Sequence, residues 1–368
     1  MDSKPTFEIF LVSVPGLESL LCAEAVEKGF KKPKIQSGGV TVRGGWVDVW
    51  RANLEMRGAS KVLARIGSFP ASHLAQLDKQ SRRFAWGDVF RSDVPIRIEA
   101  FCKKSRIYHS GAAQERLSKA IAQEFGAPVQ DDADLVLKAR IFKNQCTLSI
   151  DTSGEGLHKR GHKQAVNIAP MRETMAAMVL RFCGYKGKEP VVDPMCGSGT
   201  FVIEAAEIAR RLNPGRSRSF AFENLATFDG DQWEELRARQ NLADTDIRFY
   251  GSDKDPGAVR MSLENAKRAG VEDHTIFAEQ DLSDLSAPNG PRGLLIANPP
   301  YGTRIGENGK VAKIYKTLGK TVKQNFAGWR FGLVTNSDAL AKATGVRFDK
   351  ISDPISHGGI KVKVYATD

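Results

Sequence analysis

From residue 170 onward, short apolar runs alternate with amphipathic stretches in a regular way that few folds accommodate. A helix is predicted over 170–183 and a strand over 190–193. A Gly-rich turn leads into a helix over 200–212. An insertion (213–230) and a helix near 231–241 interrupt the series. Strand 247–252, helix 256–269, strand 274–278, strand 293–297, helix 311–325 and strand 330–335 then resume it, and strands near 346–352 and 360–366 close it. Repeated strand–helix alternation demands a mainly parallel sheet with helices on both faces, an α/β architecture. In such sheets ligands bind beyond the carboxyl ends of the strands.

The first 150 residues follow another rule. Residues 7–14 are rich in β-formers and stop at Pro15-Gly16. Leu17, Leu20, Leu21, Ala25 and Val26 then recur at helical spacing as far as Gly29. Residues 40–43 and 46–50 read as short strands joined by Gly44-Gly45 as a hairpin turn. Strands are predicted over 61–69 and 94–102, and a helix over 111–125 that ends at Gly126. Residues 134–142 and 145–151 pair as a hairpin across Lys143-Asn144. This half is α+β. Residues 153–169 are Gly-containing, basic and short of large apolar residues, and read as a linker.

Charge gives the halves different partners. The 368-residue chain holds 54 Lys+Arg and 43 Asp+Glu, a net charge of +11. Residues 1–165 contribute 26 cations against 18 anions, so most of the excess lies in front. A polyanion, above all nucleic acid, fits that asymmetry. No apolar run approaches the roughly 18–20 residues of a membrane span, so no membrane partner is expected. Cys22, Cys102, Cys146, Cys183 and Cys196 are scattered without C-x-x-C spacing, as expected of reduced thiols in a cytoplasmic protein. His158 and His162 lack companion ligands, and no metal site is expected.

The segment Val191-Val192-Asp193-Pro194-Met195-Cys196-Gly197-Ser198-Gly199-Thr200 carries the strand into the helix. Gly197 and Gly199 let the backbone approach a ligand closely. No Gly-Lys-Ser/Thr follows, so this is not a P-loop, and Val202 stands where a dinucleotide fingerprint needs a third glycine. Acidic residues after the next two strands strengthen the pattern. Asp253 is placed to accept both hydroxyls of a ribose. Asp281 is placed to receive an adenine amino group. Asp255, directly before Pro256, is equally well explained as a helix N-cap.

A second turn follows the strand Leu294-Leu295-Ile296-Ala297. Asn298-Pro299-Pro300-Tyr301 is rigid and lacks two backbone donors. The Asn298 side-chain oxygen and the Pro299 carbonyl are then available as acceptors, and Tyr301 offers a flat face to a planar group. Two acceptors gripping the N–H groups of a base's exocyclic amine favour a pyramidal nitrogen and stabilise the charge that develops as it attacks.

The combination of DPMCGSGTF, Asp253, Asp281 and ANPPYG resembles the class I S-adenosylmethionine-dependent methyltransferases that act on amino groups, over roughly residues 165–368. The front half resembles a THUMP-containing RNA-binding region preceded by a small ferredoxin-like α+β piece. Leu157-His158-Lys159-Arg160-Gly161-His162, Ala169-Pro170-Met171-Arg172-Glu173-Thr174 and Ile314-Tyr315-Lys316-Thr317-Leu318-Gly319 are similar to the bacterial ribosomal large-subunit guanine-N2 methyltransferases of the RlmL type. The resemblance implies a Rossmann-like domain with a mainly parallel seven-stranded sheet, and divisions at 1–55 (ferredoxin-like), 56–155 (THUMP), 156–169 (linker) and 170–368 (methyltransferase). It implies S-adenosylmethionine as cofactor, held by Asp193, Pro194, Cys196, Gly197, Ser198, Gly199, Thr200, Asp253 and Asp281, with Asn298, Pro299 and Tyr301 around the target amine. Some relatives carry a second, fused methyltransferase. The chain ends at Asp368, so a member without it is expected.

For RNA contact the residues themselves single out Lys103, Lys104 and Arg106, beside Tyr108 and His109, and a second cluster of Lys159, Arg160 and Lys163 with His162. Lys31-Lys32 and Arg82-Arg83 are weaker candidates. The expected substrate is a guanosine of 23S rRNA. A tRNA guanosine, a DNA adenine or a protein glutamine suits the same turn, and a non-catalytic RNA-binding assembly factor is the rival from another class.

Overall fold

The computed structural model describes residues 6–164, 171–301 and 308–368. In chain order the first elements are β1 (Phe7–Val12), α1 (Glu18–Glu27), β2 (Lys31–Gln36), β3 (Gly39–Gly44), α2 (Trp46–Glu55), β4 (Lys61–Pro70), α3 (Leu74–Arg82), β5 (Ile96–Lys103), α4 (Ser110–Ala120), β6 (Leu135–Phe142) and β7 (Gln145–Asp151). There follow α5 (Glu173–Phe182), β8 (Val191–Asp193), α6 (Thr200–Ala209), α7 (Gly230–Ala238), β9 (Phe249–Asp253), α8 (Pro256–Ala269), β10 (Thr275–Glu279), β11 (Leu294–Ala297), α9 (Asn308–Asn325), β12 (Arg330–Thr335), α10 (Asp338–Ala343), β13 (Lys350–Ile351), β14 (Ile355–His357) and β15 (Ile360–Ala366).

The chain divides into two compact units, each discontinuous. The first holds residues 1–13, 22–157 and 218–239, and the second holds 14–21, 158–217 and 240–368. In the first, seven strands form one sheet in the order β2-β3-β1-β4-β7-β6-β5, antiparallel except for the β5–β6 pair. Ile9, Leu11, Val42, Val62, Ile98, Leu137, Ile141 and Leu148 are buried. Residues 218–239 belong to this unit, although the rear half's sequence surrounds them. Phe222 stacks on Trp50 with centroids 6.0 Å apart, and Trp233 of α7 meets Phe222 edge-on at 5.1 Å.

Two local expectations fail here. Residues 46–50 form the start of α2, not a strand, and Gly45 is its N-cap instead of half a hairpin turn. The alternation of Trp46-Val47-Asp48-Val49-Trp50 imitates a strand, but Val49, Trp50, Asn53 and Leu54 bury one helical face. Asp48 accepts the Gly45 N–H at 3.0 Å and so satisfies an amide that no helical carbonyl reaches. Strand β2 is absent from the sequence reading because it has no apolar alternation; it is an exposed, lysine-rich edge.

The second unit is built on an eight-stranded sheet. Its continuous path runs β10-β9-β8-β11-β12-β15-β13, and β14 pairs with β15 as the eighth strand, one more than the seven expected. The first five of these strands run parallel, and β15 is antiparallel to β12. Adjacent residues feed opposite layers. Val191, Leu294 and Ile296 join one core with α5, α6 and α8, while Val192, Leu295 and Ala297 join another with α9 and α10. A strand buried on both faces reads as a continuous apolar run, which is why these strands were legible. Among the described residues no helix is long and apolar enough to cross a membrane.

Candidate active site

The order of parallel strands turns at β8, the switch point where such sheets bind ligands. Leu295 of β11 lies beside Val192 of β8. Counting three residues onward from each places Asn298 and Met195 at the same carboxyl edge, on strands roughly 4.8 Å apart. The two turns singled out in the sequence therefore converge.

The Gly-rich turn is held from several sides. Asp193 is buried, and its Oδ1 accepts the Met195 N–H at 3.0 Å. Burial pushes its carboxyl up to about 7, and the nearby Asp253 charge adds to the effect. The buried Pro194 follows. The Cys196 N–H donates to the Ser252 carbonyl at 2.9 Å, which ties the turn to β9. The Cys196 thiol is buried 3.7 Å from Ser262 Oγ, and burial raises its pKa. From α8, Ser262 Oγ donates to the Gly197 carbonyl at 3.0 Å and Asn265 Nδ2 to the Ser198 carbonyl at 3.1 Å. Gly197 and Gly199 have φ of +56° and +81°, where side chains are disfavoured. A Cβ on Gly199 would also lie 3.1 Å from Ser262, whereas one on Gly197 would meet nothing within 4 Å among the described residues. The backbone at Gly197 is thus open to a ligand.

The acidic residues divide by role. Each oxygen of the half-buried Asp253 takes one backbone N–H: Gly197 N donates to Oδ2 and Asp255 N to Oδ1, both at 3.0 Å. Lone pairs remain on both oxygens. Asp255 caps α8 by accepting the Gly257 N–H at 2.8 Å. Asp281 is exposed and caps the short turn Leu282–Asp284. Its Oδ1 accepts from the Ser283 Oγ and N, which hold its carboxyl below the usual carboxylate range.

In the second turn Pro299 is buried, and Asn298 and Tyr301 are half-buried. The Asn298 Oδ1 is buried without a hydrogen-bond partner among the described residues. Tyr301 packs against the core shared by α5, α6 and α8, and burial raises its hydroxyl pKa. Tyr315 of α9, fully buried, donates to Thr335 Oγ1 at 3.0 Å. Arg304, a residue expected to help wall the pocket, lies outside the described residues.

Of the basic clusters, Lys103, Lys104, Arg106 and Lys159 are exposed. Arg160 and Lys163 are not, and their reading as RNA contacts is corrected. The Arg160 side chain is 2% exposed and lies 3.4 Å from Glu204. That of Lys163 is 7% exposed, 3.2 Å from Glu173, with Nζ donating to Thr200 Oγ1 and the Met171 carbonyl, both at 2.9 Å. Burial lowers the Lys163 pKa and raises that of Glu173. His162 is buried 3.5 Å from Glu207. Lys163 therefore anchors Thr200, where α6 leaves the turn, and faces no phosphate. Ser262 and Asn265, which brace the turn, went unnoticed in the sequence. Their signal is two polar residues three apart on the buried face of α8.

A methyltransferase is what this edge of the sheet defines, and the comparisons agree. A family described as "RMKL-like, methyltransferase domain" matches residues 160–357, more than half of the 368-residue chain, and the chain belongs to it. The RlmL ferredoxin-like domain matches residues 8–63. The ribosomal RNA large subunit methyltransferase K/L of Vibrio parahaemolyticus is 31% identical over 92% of this chain and 50% of its own length. The chain thus spans about half the length of that relative. Protein slr0064 of Synechocystis sp., which bears an RNA methyltransferase's name, is 29% identical over 97% of this chain and 96% of its own. Among solved structures, SMU.472 in complex with SAH is 28% identical over 99% of this chain and 98% of its own, with a TM-score of 0.88.

Proposed function

We propose that this chain is an S-adenosylmethionine-dependent RNA methyltransferase that modifies the exocyclic N2 amine of a guanosine in 23S rRNA. The observation that carries the reading is the Asn298 Oδ1, a buried acceptor with no partner among the described residues. An acceptor left so costs about 1–3 kcal/mol, and a substrate N–H is the donor that satisfies it.

The residues fit the cofactor. The open side of Gly197 admits its close approach. The free lone pairs of Asp253 accept ribose hydroxyls, and the Oδ2 of Asp281 accepts an adenine amino proton. Asp193, Pro194, Cys196, Ser198, Gly199 and Thr200 fix the turn's shape. When bound, S-adenosylmethionine supplies an electrophilic methyl group on a sulfonium. Asn298 Oδ1 and the Pro299 carbonyl accept the two N–H groups of the guanine amine. They bias its nitrogen toward a pyramidal form, carry the positive charge that grows there, and fix its direction. One of those protons leaves to water after transfer, so no strong base is needed. Tyr301 stacks on the base, which must flip out of any helix to arrive.

Residues 56–155 serve as the THUMP-type RNA-binding part, following a ferredoxin-like piece near 1–55. Residues 156–169 connect them to the methyltransferase part, 170–368, with 218–239 returning to the first unit. Lys103, Lys104, Arg106 and Lys159 contact phosphates. The test is mass spectrometry of nucleosides from 23S rRNA and tRNA of cells with and without the gene. Loss of one N2-methylguanosine from 23S rRNA is the expected result. Loss confined to tRNA, or to another modified base, overturns the assignment.

A further inference from the structure

Among the described residues, one face of the sheet in the first unit is open at one end of β5, β6 and β7, beyond the buried Val136 and Ser149. Register places Glu99, Phe101 and Lys103 of β5 beside Lys138, Arg140 and Phe142 of β6, and the last two beside Thr147 and Gln145 of β7. Alternate residues of a strand share a face, so these eight side chains share one. The intervening Ile98, Leu137, Ala139, Ile141, Cys146 and Leu148 are buried on the other.

The open face is unlike a merely solvated one. Phe101 is 56% exposed. The Arg140 guanidinium lies 4.6 Å from the centroid of the half-buried Phe142 ring, and Lys143 Nζ lies 5.7 Å from the same ring. Charge is sorted along the face. Lys138 and Arg97 both pair with Glu99. Arg140, Lys103, Lys104 and Lys143 have no carboxylate partner recorded among the described residues. Two hydrogen bonds draw the last three together. The Arg106 N–H donates to Asn144 Oδ1 at 2.8 Å and the Asn144 N–H to Ser105 Oγ at 3.0 Å, pinning the loop after β5 to the β6–β7 turn. Tyr108, 85% exposed, extends from that loop.

We infer that this face is a platform for an unpaired stretch of RNA. The inference rests on the RNA reading above and deepens it from charge to base stacking. Successive bases lie on Phe101 and on the Phe142–Arg140 pair, and the backbone runs along Lys103, Lys104 and Lys143. Exposed aromatics separated by cations match the alternation of base and phosphate in a single strand. A duplex keeps its base faces inside and has no use for the rings.

The test uses the full chain without cofactor and a fluorescein-labelled eight-nucleotide RNA, free or annealed to its complement. Phe101→Ala should weaken single-strand binding about five- to hundred-fold, the range of one lost stack, and leave duplex binding within about twofold. Phe101→Trp should restore it. Arg140→Ala should weaken single-strand binding more than Arg116→Ala, an exposed cation of α4 with the same charge change. Equal losses for strand and duplex, no loss for Phe101→Ala, or equal effects of Arg140→Ala and Arg116→Ala overturn the platform. A chain that binds duplex but not single strands defeats this inference alone. One that binds no RNA defeats the RNA methyltransferase reading as well.

Discussion

Replacing Asn298 separates function from stability in a direction most active-site substitutions do not. Its Oδ1 is buried without a partner among the described residues, which corresponds to a desolvation cost of about 1–3 kcal/mol. Asn298→Ala removes that cost along with a few van der Waals contacts. The net effect on the folded chain is expected to lie between zero and about 1 kcal/mol of stabilisation. For a unit of this size that is a rise of roughly 0–4 °C in Tm. Activity should move the other way. Losing one preorganised partner for the transition-state charge costs about 100- to 1,000-fold in kcat. The cofactor is assigned to Gly197, Asp253 and Asp281, so its Kd should stay within about twofold. Transfer of a labelled methyl group, calorimetry with S-adenosylmethionine and a thermal melt give the three readouts. A Tm lowered by more than about 5 °C would make Asn298 a structural brace. A kcat within tenfold of the parent, or a Kd raised as much as kcat falls, would refute the amine-gripping role.

Three further outcomes follow from the bonds around the first turn. Asp253→Ala removes both the proposed ribose acceptor and the carboxylate bonds to Gly197 and Asp255; the cofactor Kd should rise at least about tenfold, as for a hydrogen bond to a charged group, and an unchanged calorimetric Kd would refute the assignment. Asp193 has its carboxyl raised from 3.8 to about 7, so the folded chain holds more protons than the unfolded one between those values and its contribution to stability falls as pH rises from about 4 to 7. Urea midpoints across that range should show a shallower decline in Asp193→Asn, and identical slopes would remove Asp193 as the cause. Lys163→Met strands Glu173 without its partner in a buried site, a loss of about 3–5 kcal/mol, which Lys163→Met with Glu173→Leu should largely recover; a single variant within about 1 kcal/mol of the parent in chemical denaturation would show that the pair is not coupled.

The parts of the fold that were legible are those where local chemistry and burial agree. Helix α8 was read with its observed bounds because Asp255 caps it, Pro256 opens it and Gly270 ends it. The strands of the second unit announced themselves as apolar runs because layers of core lie on both sides. Where long-range packing decides, the reading failed. Nothing in residues 218–239 states that Phe222 and Trp233 gather with Trp50, a residue far away in sequence. Helix α10 is only six residues long, too short to display a period. Arg160 and Lys163 look like a phosphate-binding cluster until Glu204 and Glu173 are seen beside them, and those partners lie in other elements.

The two turns of the candidate site stood out in the sequence through glycine and proline spacing, and the structure adds departures from ordinary folding rules at both. Among the described residues, Asp193 is a buried carboxylate at a strand end; Gly197 adopts a left-handed conformation where an added side chain would meet nothing within 4 Å; and Asn298 buries an acceptor without a donor. Each is unfavourable for folding by itself, and their coincidence at one sheet edge calls for a common cause. The orphaned atom alone would not suffice, since Thr41 Oγ1 and Trp50 Nε1 also lack partners among the described residues. What separates Asn298 from them is position. It follows β11, next to the strand that carries the Gly-rich turn. Removing the acceptor without disturbing its strand, as Asn298→Ala does, therefore tests the argument more sharply than disrupting the turn as a whole.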